Sequence, residues 1–250
     1  MSSLKIRISL CLLAGFFACR QPTTRQVRVE ERQTASGHRY SIFHPQKLAV
    51  RVVTSRPPAA DSAYQLSVAA AYTNLENDQP LDLLVDQGRV RQTKPIIPFL
   101  DGVLQSVGDT LTIGRLPAGP AQLGAQLAGV RRRHGTLLLQ ELLVLNGKPQ
   151  RFGPGNAFQR RALVEFAAHR FAVAESAADN LTMSQFAEDL RELGAQNALY
   201  LDMGDWDEGW YKAGNEVVKL GARRTQTARQ SNWLVFATPV AALPGPSPAP

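Results

Sequence analysis

From Tyr40 to Phe236 the chain is written largely in short apolar or alternating runs, most of them closed by a turn signal, and this texture limits its possible folds more than any other feature. "HRYSIFHP" alternates, and "KLAVRVVTS" is β-branched and alternating, the pattern of half-buried strands. "YQLSVAAAYT" is apolar from Val68 to Tyr72 and reads as a central strand. "LDLLVDQGRVRQ" reads as a strand, a Gln87–Gly88 turn and a return strand. "TLLLQELLVLNGKPQRF" reads as one buried strand ending at Asn146–Gly147. "RRALVEFAAHRFAVAES" suits a hairpin turning at Ala168–His169, although its alanines also suit a helix. "NEVVKLG" and "SNWLVFA" add further strands, whereas residues 20–36 read as polar and irregular.

Helical periodicity is scarcer. "GPAQLGAQLAGVRRRHG" suits a short helix with Leu123, Leu127 and Val130 on one side. "NLTMSQFAEDLRELGAQ" is clearer: Thr182 and Gln185 form a capping box, in which the hydroxyl accepts from an orphan amide and the Gln reaches back. Met183, Phe186, Ala187, Leu190 and Leu193 make its apolar stripe, and Gly194 is a left-handed stop. "NALYLD" follows at once as a short buried strand, which puts Asp202 at a strand's C-terminal end. Roughly eight to ten strands against two or three helices predict an α+β fold, a mixed, largely antiparallel sheet with the helices packed on it.

The N-terminus stands apart. Lys5 and Arg7 precede an apolar run from Ile8 to Ala18, a basic start and short apolar segment that mark a secretory signal peptide. The run is well short of the roughly 20 residues that span a bilayer. Gly15 to Ala18 before Cys19 resemble a bacterial lipobox, loosened by Phe16 and Phe17; the alternative is ordinary cleavage nearby. On the lipobox reading residues 1–18 are signal peptide, 19–37 a tether acylated at Cys19, 38–238 the domain and 239–250 a disordered tail. Cys11 and Cys19 are the chain's two cysteines, so the mature domain has no thiol for a disulfide, a metal site or a nucleophile. The net charge of +7 is spread over scattered arginines, with one dense run, Arg131 to His134, and no nucleic-acid-binding motif accompanies it.

"PLDLLVDQGRV", "LVLNGK", "LTMSQFAEDLRELGAQNALYLD" and the closing "SNWLVF", taken in order, resemble the phosphodiester glycosidase family, which includes the lysosomal uncovering enzyme and bacterial exported, exopolysaccharide-linked proteins. The resemblance covers roughly Leu66 to Phe236 and implies hydrolysis of a sugar phosphodiester with release of the sugar. By position, Arg161 (or Arg160) matches the family's arginine, Asp202 matches the Asp of its "LDGG", and Asn232 lies in the closing segment. The departures are equally specific. Ala70 stands where the family keeps an Asn, Met203 replaces a Gly, and "LLLQEL" replaces a Gln-Ser-Gly-Pro.

The chemistry fits these residue types. An Arg binds phosphate in bidentate fashion, and a carboxylate stabilises an oxocarbenium-like state or activates water. Arg161 and Asp202 are the expected catalytic residues, with Asn232 binding substrate. In "LDMGDWDEGWY" the remaining acids, Asp205, Asp207 and Glu208, are either sugar contacts or a solvated acidic turn. Trp206 and Trp210 either offer a flat face to a sugar ring or pack in the core. The acids lack the spacing of an EF-hand loop, the four histidines (His38, His44, His134, His169) lack metal-ligand spacing, and no G-x-S-x-G appears. The expectation is an exported, lipid-anchored protein of the cell envelope that hydrolyses a sugar phosphodiester of envelope or extracellular glycans. It needs no cofactor or metal, takes a carbohydrate or sugar-phosphate ligand, touches the membrane through its N-terminal lipid and binds no nucleic acid. The alternative is a catalytically inactive glycan-binding or structural lipoprotein on the same fold.

Overall fold

A computed structural model describes residues 25–93, 97–203, 209–222 and 227–239. Its architecture corrects the expected α+β class. The chain is mostly β, with four sheets, every pairing antiparallel, and only two α-helices among the described residues. The sheets bury one another's faces, so most of the core needs no helical layer.

The largest sheet has seven strands in the order Gln26–Gln33, Arg39–Gln46, Arg170–Ser176, Arg161–Phe166, Asn197–Leu201, Leu142–Leu145, Lys148–Pro149. A five-stranded sheet runs Thr110–Arg115, Gly102–Val107, Thr136–Gln140, Leu84–Asp86, Arg89–Gln92. A second runs Glu216–Leu220, Gly209–Ala213, Tyr64–Ala69, Trp233–Ala237, Ala49–Val53. Thr73–Asn74 and Gln79–Pro80 form a small ribbon.

Strand alternation explains how these sheets share a core. Leu163, Val173 and Leu199 of the large sheet meet Leu104 and Leu138 of the first five-stranded sheet and Leu66, Val68, Leu234 and Phe236 of the second in one buried cluster. The intervening residues Ala162, Val164 and Ala198 face the other way, onto helix α2 (Met183–Glu192), through Phe186, Ala187 and Leu190. Helix α1 (Pro120–Arg132) covers the outer face of the first five-stranded sheet through Val130.

Several local expectations hold. Thr182 and Gln185 make both bonds of the capping box, and Gly194 takes φ +98° just past α2. Gln87 and Gly88 turn the hairpin with φ of 48° and 78°. The run read as hairpin or helix is a hairpin, turning where Ala168 and His169 adopt positive φ. Two segments differ. The run from Thr136 is not one strand: it breaks at Glu141, and its halves belong to different sheets. Gln26–Gln33, polar and irregular in sequence, is a strand paired along its whole length with Arg39–Gln46. Its solvent-facing edge leaves little apolar signal to read.

Candidate functional site

Three strand ends meet where the large sheet abuts the second five-stranded sheet. Strand Asn197–Leu201 ends at Asp202, whose amide donates to the Ala70 carbonyl at 2.8 Å. The Ala70 amide in turn donates to the Asn232 carbonyl at 3.3 Å. Here the chain leaves strand Tyr64–Ala69, so the next peptide loses its partner strand. The Asn232 carboxamide replaces that partner: Oδ1 accepts from the Ala71 amide at 2.7 Å, and Nδ2 donates to the Ala71 carbonyl at 3.1 Å. A carboxamide can do both because it carries an acceptor and donors side by side. Asn232 is fully buried, so it acts here as a structural staple. Asp202 and Asn232, far apart in sequence, are thus joined through Ala70.

Arg161 opens the next strand and pairs in register with Leu201, which places its backbone beside Asp202. Its side chain shares a face with Leu163 and runs to Glu175, directly across on the neighbouring strand. Nε donates to Glu175 Oε2 at 2.7 Å and Nη2 makes a second, close contact with the same oxygen. Glu175 Oε1 accepts from Gln159 Nε2 at 3.1 Å and from the Gly221 amide at 3.3 Å. Arg161 is 0% exposed, and Gly209 makes room for it: a Cβ at Gly209 would lie 3.0 Å from Nη2. The ion pair therefore links the large sheet to the start of strand Gly209–Ala213.

Arg160 points to the other face. Its guanidinium lies over the Phe158 and Tyr200 rings, 5.3 and 5.7 Å from their centroids. Nε donates to the Leu181 carbonyl, Nη2 to the Asn156 carbonyl, and Nη1 to the Tyr200 hydroxyl at 3.3 Å. Tyr200 packs 6.0 Å from Tyr72, whose hydroxyl donates to Glu141 Oε1 at 2.7 Å. Burial, with Glu141 and Asp202 nearby, pushes both tyrosine hydroxyls well above their ordinary range, although Arg160 pulls Tyr200 the other way. Burial also raises the Glu141 carboxyl, against the opposing pull of the Tyr72 hydrogen bond and Arg160. Two carboxylates, Glu141 and Asp202, therefore act on one tyrosine pair. Burial thus pushes the Glu141 carboxyl toward its protonated form, the direction a proton donor needs.

Glu141 and Tyr72 were not expected from sequence. The visible signal for Glu141 was a charge inside the apolar run "LLLQELLVL", at the point where that run changes sheet. Trp210 is buried. It pairs with Ser67 on the face of its strand opposite Gly209 and Tyr211, with Lys212 Nζ 5.9 Å from its ring centroid. Met203 packs half-buried beside the cluster that holds Tyr200 and Tyr72. Asp205, Trp206, Asp207 and Glu208, and the expected lipid site Cys19, lie outside the described residues.

The described residues form four antiparallel sheets with a polar cluster set where strands change sheet. The chain's backbone is similar to the catalytic domain of zebrafish N-acetylglucosamine-1-phosphodiester alpha-N-acetylglucosaminidase, auto-inhibited by its pro-peptide. The two share 11% identity with a TM-score of 0.58 over 86% of this chain and 82% of that one. It is also similar to a hypothetical protein from Synechocystis, at 14% identity and a TM-score of 0.54; the match covers 84% of this chain and 62% of that chain. No family model and no curated protein sequence matches. At such identities the likeness is one of fold. Among the described residues no helix is long and apolar enough to cross a membrane.

Proposed function

We propose that the chain is an exported, lipid-anchored protein that hydrolyses a sugar phosphodiester of envelope or extracellular glycans, with Asp202 and Glu141 as its working carboxylates. The observation that carries this reading is geometric: Asp202 closes the strand that carries Tyr200, Tyr200 packs 6.0 Å from Tyr72, and the Tyr72 hydroxyl donates to Glu141 at 2.7 Å. The similarity of fold to a zebrafish enzyme named for a sugar phosphodiester supports the substrate class. In this chemistry the bond from the anomeric carbon to the phosphate oxygen breaks, and its electron pair leaves with the phosphate. Water adds to the carbon and gives up a proton. Asp202 stabilises the positive charge that develops or takes that proton, and protonated Glu141 donates to the departing oxygen.

The test is sugar release by the purified protein from glycosyl phosphodiesters of several sugars. Asp202→Asn and Glu141→Gln are each expected to lower kcat by about 100-fold or more, the scale of general acid–base assistance. Release that survives both substitutions would refute the assignment of the carboxylates. For the anchor, wild type is expected to fractionate with membranes and Cys19→Ser to be released from them; identical fractionation would refute it.

A second reading, a non-catalytic glycan-binding lipoprotein, is favoured by a separate observation: the Arg161 guanidinium is fully buried and bonded to Glu175. Glycan binding with no release from any phosphodiester would decide for it.

A further inference from the structure

A cleft of about 210 Å³, room for roughly seven waters at ~30 Å³ each, lies between the Leu84–Asp86/Arg89–Gln92 hairpin and the segment leading into Trp233. Thr54, Asp78, Pro80, Arg91, Gln230 and Ser231 line it, and most of that lining is polar. Gln230 is 4% exposed, and its Nε2 donates to the Asn232 carbonyl at 2.8 Å. Its Oε1 is buried with no hydrogen-bond partner among the described residues. Behind the opposite wall Asp86 accepts from Thr54 Oγ1 at 2.7 Å, and its other oxygen likewise has no hydrogen-bond partner among the described residues. Arg91 completes that wall, its Nη2 donating to Thr54 Oγ1 at 3.3 Å.

The unpartnered atoms are acceptors, so a ligand must bring donors. An anion brings none and would meet the Asp78 carboxylate, which already accepts from Arg229 Nε at 2.8 Å. A metal cation would meet the Arg91 guanidinium. A neutral polyhydroxylated ring satisfies both walls, because each hydroxyl donates and accepts. We propose that this cleft is a sugar-binding subsite in which one hydroxyl donates to Gln230 Oε1 and Arg91 donates to another. Hydrogen bonds tie its wall to the strand end that carries Asp202. Gln230 holds the Asn232 carbonyl, which accepts from Ala70, whose own carbonyl accepts from Asp202. The subsite rests on the proposed function only in taking its sugar to be a further unit of the glycan that is cut.

Saturation-transfer NMR on the purified protein, with glucose, galactose, N-acetylglucosamine, their disaccharides and inorganic phosphate, tests this directly. At least one neutral sugar is expected to bind saturably. Arg91→Ala is expected to weaken it about tenfold, the equivalent of one charge-assisted hydrogen bond. Arg91 is solvent-exposed, so this variant should keep the wild-type melting temperature. Gln230→Met should weaken binding by a similar factor. No saturable sugar binding, binding indifferent to Arg91→Ala, or binding of phosphate alone would each overturn the subsite. Kinetics separate this proposal from the hydrolytic one. Turnover with KM unmoved by Arg91→Ala sinks the subsite and leaves hydrolysis standing. Sugar binding lost in Arg91→Ala, with no turnover by wild type, sinks hydrolysis and leaves the subsite standing.

Discussion

Replacing Asn232 with alanine tests whether that residue staples the strand junction or waits for a ligand. In the folded protein its side chain is buried and makes two hydrogen bonds to one residue, 2.7 Å to the Ala71 amide and 3.1 Å from Nδ2 to the Ala71 carbonyl. Alanine leaves that buried amide without an acceptor, which costs about 1–3 kcal/mol, and removes a donor from the carbonyl, worth about 0.5–1.5 kcal/mol. The expected loss is therefore about 2–4 kcal/mol. In a chain of this size each kcal/mol moves Tm by about 2–4 °C, so Tm should fall by about 4–16 °C. Urea unfolding should show a lower midpoint with an unchanged slope, because the surface exposed on unfolding is the same. A loss below about 1 kcal/mol would refute the reasoning. It would mean that the Ala71 amide finds another acceptor and that Asn232 is not what holds Ala70 against Asp202.

Glu175→Ala removes the carboxylate that Arg161 Nε and Nη2 contact and should cost about 3–5 kcal/mol, while Glu175→Leu with Arg161→Met should recover most of it, as read by urea unfolding. Gly209→Ala puts a methyl carbon 2.9 Å from Leu220 Cβ and 3.0 Å from Arg161 Nη2, and should lower stability by about 1–3 kcal/mol in the same assay. Burial raises Glu141 above its ordinary value of 4.5, so its contribution to stability is fully present below that value and is lost as pH rises through the folded value. Glu141→Gln should therefore gain Tm over wild type as pH rises from 4 to 8 in a thermal-shift series, and a constant difference would count against the buried acid. His44 is lowered from 6.5 by burial and by Arg28, against Glu30, and its ring proton should titrate below that value by NMR.

Elements whose cause is local were legible in the chain. The α2 capping box needs only Thr182 and Gln185 three residues apart, and the Gln87–Gly88 turn needs only two residues that tolerate positive φ. The strand ending at Leu201 announced itself as a short apolar run straight after a helix stop. Asp202 was legible for the same reason, because strand ends are set by local pattern. Strand Gly209–Ala213 was not: it begins at a glycine whose value, clearance for Arg161, exists only once the sheets are assembled.

The sequence by itself determined many of the stretches that extend, several of the turns between them, and that one capped helix feeds the strand carrying Asp202. Periodicity and turn chemistry act over a few residues, so one dimension records them. Tertiary structure alone decided that apolar strand faces meet one another instead of a helical layer. It also decided that "TLLLQELLVL" is shared between two sheets and that Arg161 turns to Glu175 while Arg160 turns to Tyr200. Which strand lies beside which depends on contacts between residues far apart in the chain. Adjacent arginines at the start of one strand look alike in sequence and acquire opposite roles only when each meets its own neighbours.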